Sequence, residues 1–367
     1  METIRFDDFI RLNRGFDLPD YKIEKGEYPV ITSTNIKAFH KEYKVEGPMV
    51  VTGRSGSLGK VQYIEGRCWP LNTSLYVKDY KGNFPRYVYY FLQMMHLEQY
   101  NAGAGVPTLN QNHLHSLKIK IHKKKLQQKI ASILSSYDRL IENNTRRIRL
   151  LEQMAENLYK EWFVRFRFPE HENVEMVNGL PKGWNKKELG NIADVCMGSS
   201  PKSEYYNDEK RGLPFHQGVG SFGERFVLDN TYSTSYSQIA EPMSILFSVR
   251  APVGRLNYTR NRIVIGRGVA AINHKEGMQS LLFYTLKVKF FKEDIIGNGA
   301  IFSSITKKEL LKLKLIVANK ELRVVFNNKI NKIDREIDIL YKQNQLLTRQ
   351  RDLLLPRLMS GKLEVKS

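Results

Sequence analysis

Residues Gln127 to Phe163 read QQKIASILSSYDRLIENNTRRIRLLEQMAENLYKEWF, and in them core-type residues recur at Ile130, Leu134, Tyr137, Ile141, Asn144, Ile148, Leu151, Ala155, Leu158 and Trp162. The steps alternate between four and three, which is the seam of a coiled-coil helix. The same steps return at Phe326, Ile330, Ile333, Ile337, Leu340, Asn344, Leu347, Arg351, Leu354 and Leu358, each 196 residues after its counterpart. Neither stretch holds a proline before Pro356, which is expected to bend or end the second helix. Two long helices of one pattern predict an antiparallel coiled coil. Setting Trp162 against Phe326 places Ile141 opposite Leu347, Asn144 opposite Asn344, and Tyr137 opposite Arg351, whose cation would lie over the ring. A seam Asn that meets a polar partner fixes register at some cost in stability.

Working outward, each helix is preceded by a copy of one domain. Leu109 to Ile121, LNQNHLHSLKIKI, is matched by Ile305 to Val317, ITKKELLKLKLIV. Before these lie glycine pairs, Gly103 and Gly105 against Gly297 and Gly299, and aromatic helical stretches, Tyr87 to Tyr100 against Leu281 to Phe291. Their aromatic residues are spaced for a buried helix face. Further upstream VVTGRSGSLGKVQY, residues 50–63, is similar to ILFSVRAPVGRLNY, residues 245–258: strand, arginine, glycine turn, basic residue, strand. Arg54, Gly59 and Lys60 then match Arg250, Gly254 and Arg255. The domain starts align as well, Phe6, Phe9, Leu12 and Gly15 with Leu189, Ile192, Val195 and Gly198. The expected layout is a first domain over 1–122, a long helix over 123–165, a Pro-, Gly- and acid-rich linker over 166–183, a second domain over 184–318 and a second long helix over 319–360.

Lysine and arginine outnumber acids by 58 to 38 in the 367 residues, a formal charge of +20 that points to a polyanionic partner, nucleic acid first. The charged N-terminus lacks the apolar core of a signal peptide, and no run approaches the ~18 apolar residues of a membrane span. A cytoplasmic location and no membrane partner are expected. Cys68 and Cys196, one per half, read as buried structural thiols rather than zinc ligands or a disulfide.

GRSGSLGKV at 53–61 has one residue too many for a phosphate-binding loop, and Val61 stands where Ser or Thr should open a helix. A turn between strands that offers Arg54, Ser55 and Lys60 to a phosphodiester backbone fits it better. The Asn/Asp-Pro-Pro-aromatic tetrapeptide of adenine methylation does not occur, and no GxGxxG dinucleotide fingerprint is expected. Asp20, Glu24 and Lys25 do not complete a nuclease set, the histidines make no HExxH, and His113 and His115 are expected to face solvent. No catalytic centre, metal site or Ser/His/Asp set can be assembled.

The duplicated domain with its GRSGSLGKV turn, the QQKIASILSSYDRLIENNTRRIRLLEQMAENLYKEWF helix, the LPKGW restart and the LLLPRLMSGKLEV ending resemble the specificity subunit of type I restriction-modification systems. The resemblance spans essentially the whole chain. It implies an α+β protein with two similar mixed α/β target-recognition domains, separated by two long helices in an antiparallel coiled coil. It also implies a non-catalytic subunit reading a bipartite double-stranded DNA site, with two methylation subunits docked on the helices and restriction subunits completing the assembly. S-adenosylmethionine, ATP and Mg would belong to those partners, with no cofactor in this chain. The expected contacts to DNA are Arg54, Ser55, Lys60, Arg250 and Arg255, with Gly103, Gly105, Gly297 and Gly299 near its backbone. Arginine suits bidentate contact with guanine and Lys60 suits phosphate. A helix from Leu126 to Val164 would measure ~58 Å at 1.5 Å per residue, against ~35 Å for one DNA turn, so the helices would serve as a ruler between half-sites. The competing reading is a non-catalytic coiled-coil adaptor that binds nucleic acid without sequence preference.

Overall fold

The computed structural model describes residues 1–290 and 304–365. The chain divides into two units, residues 1–145 with the chain from Tyr341 on, and Arg146–Leu340. Each unit therefore holds one domain, part of the helix that follows it and part of the other long helix.

In the first unit Glu2–Arg5 pairs antiparallel with Lys118–Ile121, Glu2 opposite Ile121 and Arg5 opposite Lys118. A single turn, Phe6–Phe9, buries both phenylalanines and leads into Arg11–Arg14. That strand edges a four-stranded antiparallel sheet, in the order Arg11–Arg14, Ser74–Asp79, Met49–Gly53, Val61–Ile64. Met49–Gly53 is buried at every residue, as its apolar run requires of a central strand. A smaller sheet carries one parallel pair, Val30 opposite Trp69 and Ile31 opposite Pro70. Helix Pro85–Met94 starts with proline in its first turn, where the missing N–H costs nothing. It buries Tyr87, Tyr90 and Phe91 in a core shared with Phe6, Phe9, Leu114, Ile130 and Leu134, so the long helix completes the domain's core.

The second unit repeats this plan. Asn185–Glu188 pairs with Lys314–Val317, the turn Leu189–Ile192 follows, and the four-stranded order is Ala193–Met197, Val269–His274, Ile245–Ser248, Leu256–Tyr258. Its second sheet also has one parallel pair, Phe215 opposite Val264. The matched glycines do the same work in both copies. A Cβ on Gly15 would stand 2.2 Å from the Leu71 carbonyl oxygen, and one on Gly198 would stand 2.1 Å from that of Gly266.

The long helices run Lys124–Tyr159, continued by a π turn over Lys160–Val164, and Lys320–Met359. They are antiparallel within each unit. In the first unit Asp138 meets Arg351 at 2.7 Å and Asn144 meets Gln343 at 3.4 Å. In the second unit Arg147 meets Glu336 at 2.8 Å and the Trp162 ring lies 5.5 Å from that of Phe326. Details depart from expectation. Asn144 and Asn344 hydrogen-bond past each other: Asn144 Nδ2 donates to Gln343 Oε1, and Asn344 Nδ2 donates to the Ile141 carbonyl at 3.3 Å and to Thr145 Oγ1 at 3.2 Å. Arg351 takes the carboxylate of Asp138 as partner, which satisfies a half-buried cation better than the face of Tyr137. Pro356 does not end its helix, which closes three residues later, with Gly361 in the left-handed conformation.

The segment expected as a linker is folded. Met176–Val177 and Leu180–Pro181 form a hairpin around Asn178 and Gly179, both at positive φ as a two-residue turn demands. Trp184 is buried with ring centroids 5.4 Å from Phe168 and 5.6 Å from Phe163. Cys68 is fully buried, and burial pushes its thiol up to about 12. Cys196, expected to be buried, is only half-buried, with Sγ donating to Gln238 Oε1 at 3.0 Å. Among the described residues no helix is long and apolar enough to cross a membrane.

Candidate nucleic-acid interface

The two basic turns are built alike. In the first domain the turn joins Met49–Gly53 to Val61–Ile64, and its backbone is laced to the glycine loop after Asn101. The Arg54 carbonyl accepts from Leu109 N at 2.8 Å, Gly56 N donates to the Pro107 carbonyl at 2.9 Å, and Ser55 bridges to Thr108. The loop itself is folded on Asn101 Oδ1, which accepts from Gly103 N at 3.0 Å and Thr108 N at 2.9 Å. Gly103 is required there, since a Cβ would stand 2.0 Å from the Val106 carbonyl oxygen, whereas Gly105 has open space around it. Arg54, Ser55, Gly103 and Gly105 thus form one cluster. Lys60 projects beyond it, exposed, after Gly59 at φ 88°.

In the second domain the turn joins Ile245–Ser248 to Leu256–Tyr258. Ser248 Oγ accepts from Arg255 N at 2.8 Å and donates to the Pro252 carbonyl at 2.6 Å. Gly254, again at φ 88°, precedes an exposed Arg255. Gly59–Lys60 and Gly254–Arg255 are therefore equivalent in backbone as well as sequence. Arg255 also borders a cavity of about 370 Å³ with Pro252, Phe222, Phe283 and Lys287. Gly297 and Gly299 lie outside the described residues.

One pairing read from the sequence is out by a residue. Ile305 N donates to the carbonyl of Val249, as Leu109 N does to that of Arg54, and Arg250 bridges to Ser304 as Ser55 does to Thr108. The structural match of Arg250 is Ser55, and that of Arg54 is Val249. Neighbours along an extended chain face opposite ways. Arg250 is accordingly exposed, while Arg54 is half-buried and donates from Nη1 to the Asn72 carbonyl at 3.3 Å.

Other groups went unread in the sequence. His115, expected at the surface, accepts the Leu12 N–H on Nε2 at 3.0 Å, and burial holds its pKa below the ordinary histidine value against the opposing pull of Asp7. Arg5, Lys118 and Lys120 stand exposed along the two-stranded ribbon, where only the alternation of KIKI hints at them. A Ser/His/Asp set is also assembled: His216 has Ser221 Oγ 2.9 Å from Nδ1 and Asp229 Oδ1 3.0 Å from Nε2. Its imidazole is sealed at 0% exposure and Ser221 Oγ donates to the Gly218 carbonyl, so the set pins a loop instead of activating a nucleophile. That loop, Gly218-Val219-Gly220-Ser221-Phe222-Gly223, has the GxGxxG spacing and escaped the sequence reading. It opens a three-residue 3-10 turn where dinucleotide binding needs a helix N-terminus. Among the described residues no three His, Cys, Asp or Glu side chains gather as a metal site.

Comparison with known proteins agrees with this architecture. The family described as type I restriction modification DNA specificity domain matches residues 1–153 and 181–349, once per copy. A Methanocaldococcus jannaschii protein assigned as the MjaX type I restriction enzyme specificity subunit is 31% identical over 327 residues, covering 84% of this chain and 76% of that one. The MjaIX specificity subunit of the same organism is 26% identical over 378 residues, covering 95% and 86%. Among solved structures, the type I restriction-modification S subunit from M. genitalium matches with a TM-score of 0.65 at 19% identity, over 100% of this chain and 96% of that one, and so shares the fold.

Proposed function

This chain belongs to the family of type I restriction-modification DNA specificity proteins, and from that premise we propose that it reads a bipartite double-stranded DNA site with one domain per half. The observation that carries the reading is the duplicated turn, in which a left-handed glycine presents an exposed cation, Lys60 in one copy and Arg255 in the other. Arg250, Arg255 and Lys60 contact the duplex. Ser55, Gly103 and Gly105 let the backbone of the first turn approach it, and Arg54 supports that turn from behind. The chain is the non-catalytic specificity subunit, and S-adenosylmethionine, ATP and Mg act on its partners. The methylation subunits dock on the long helices, which expose Leu140, Leu346 and Leu353 in the first unit and Leu150, Met154 and Ile339 in the second, Leu346 at 60% and Leu150 at 54%.

The test mixes the purified chain with its methylation subunits and assays methylation of DNA carrying a two-part site. Methylation of that site alone, lost when either half is scrambled, is the expected result. Equal binding of all duplexes, with no methylation in the mixture, would identify a non-specific adaptor. Leu150→Glu with Leu346→Glu is expected to abolish co-purification of the methylation subunits while leaving binding of bare DNA.

A further inference from the structure

Arg225 lies between the glycine-rich loop and the strand Tyr232–Ser233, and it is 3% exposed. Its Nη2 donates to Asp334 Oδ1 at 2.5 Å, and its Nη1 donates to Glu152 Oε1 at 3.2 Å and to the Tyr284 oxygen at 3.3 Å. The guanidinium sits 5.1 Å from the ring centroids of both Tyr258 and Phe283. Asp334 Oδ2 in turn accepts from Ser280 Oγ at 2.5 Å. Glu152 is on the first long helix, Asp334 on the second, Ser280 and Tyr284 on the domain helix Gln279–Phe290, and Tyr258 on the strand Leu256–Tyr258 of the four-stranded sheet. One turn along the second long helix, Asp338 accepts from Arg260 Nη2 at 2.8 Å, and the Arg260 guanidinium lies 4.2 Å from the Phe226 ring. Two domain arginines therefore grip Asp334 and Asp338 at successive turns. Burial is the largest influence and works against the Arg225 charge, but Asp334, Tyr284, Tyr258 and Glu152 together outweigh it, and the guanidinium is held more firmly protonated than usual.

The first domain is attached differently. Asp138, 196 residues before Asp334, takes the Tyr90 hydroxyl and a cation from the partner helix, Arg351 at 2.7 Å, and among the described residues no arginine of the first domain pairs with it. A buried ion pair is a poor source of stability but a strict geometric constraint, because its charges tolerate few arrangements. Removing it would let the domain shift on its helices without unmaking its core.

We propose that Arg225 is a positioning residue of the second half-site: through Asp334 and Glu152 it fixes the angle at which the second domain is carried on the helix pair, and so sharpens the spacing that this domain accepts. The inference rests on the bipartite reading above.

The experiment compares the assembled methylation complex of the wild type with Arg225→Lys, and with a neutral variant combining Arg225→Met, Glu152→Gln and Asp334→Asn. The triple variant leaves no uncompensated buried charge and is the one expected to keep the fold. Methylation is read on a library of sites whose gap varies by single base pairs, and on sites altered in one half. Both variants should accept gaps one base pair shorter and longer, lose on the order of tenfold to a hundredfold in rate at the preferred gap, and discriminate less in the second half-site only. A folded triple variant with the wild-type gap profile would overturn the proposal. So would failure of both variants to assemble, since Arg225 would then be a support of the core. A wild-type complex with no gap preference would instead refute the bipartite reading.

Discussion

Gly59 and Gly254 take a backbone conformation that L side chains rarely adopt, and at Gly254 a Cβ would also stand 2.7 Å from the Phe290 ring. Gly59→Ala and Gly254→Ala are each expected to cost about 1 to 2 kcal/mol, measured by denaturant titration, and to weaken DNA binding by re-aiming Lys60 or Arg255. The one-residue slip between Arg54 and Arg250 separates their fates. Arg250→Ala should lower affinity and reduce the slope of log affinity against log salt by about 1, because an exposed cation is removed. Arg54→Ala should act mainly on thermal stability, through the lost bond to the Asn72 carbonyl. Two histidines carry a pH effect. Burial lowers the pKa of His115, against Asp7, and of His274, against Glu276. The unfolded state, with its ordinary value of 6.5, then binds protons that the folded state refuses. Their contribution is complete above pH 6.5 and is lost as pH falls below it toward the folded values. Melting temperature should drop between pH 7.5 and 5.5, and His115→Gln should flatten that drop. An acid-insensitive melting temperature would contradict the assignment.

At the scale of elements, the seam read from the sequence is the seam observed, since a heptad repeat commits its residues to one face whatever the partner. Direction does not follow from the seam, which serves parallel and antiparallel pairs alike, and is checked by Leu151→Cys with Ile337→Cys. These face each other if the helices are antiparallel, so a disulfide should form under mild oxidation. The Asn positions were legible as polar, but their partners were not, because a side-chain amide chooses among all donors and acceptors within reach. Asn344 Oδ1 is left buried with no partner among the described residues. Asn344→Leu is therefore expected to raise the melting temperature while relaxing register, visible as additional cysteine cross-links one heptad away. The segment over 166–183 misled for a compositional reason. Its prolines, glycines and acids are those of a loop, and its order comes from Phe168 and Trp184 packing on Phe163, a contact between residues distant in the pattern.

For the whole molecule, a net charge of +20 predicts binding that weakens steeply with salt, and two readers joined by paired helices predict a preferred gap. Deleting one heptad from each long helix removes about 10 Å of rise, or about 3 base pairs at 3.4 Å each. The preferred gap should shorten by that amount, and an unchanged gap would exclude the helices as its determinant. The sequence by itself determined the duplication, the two heptad helices, the glycine-and-cation turns and the family, because each is a local pattern of spacing that survives without knowledge of neighbours. Only the tertiary structure decided which arginine backs a turn and which faces out, what the seam asparagines bond, and that Arg225 grips Asp334 and Glu152. Those outcomes depend on groups brought together from distant parts of the chain, where one residue of register turns a side chain to the opposite face.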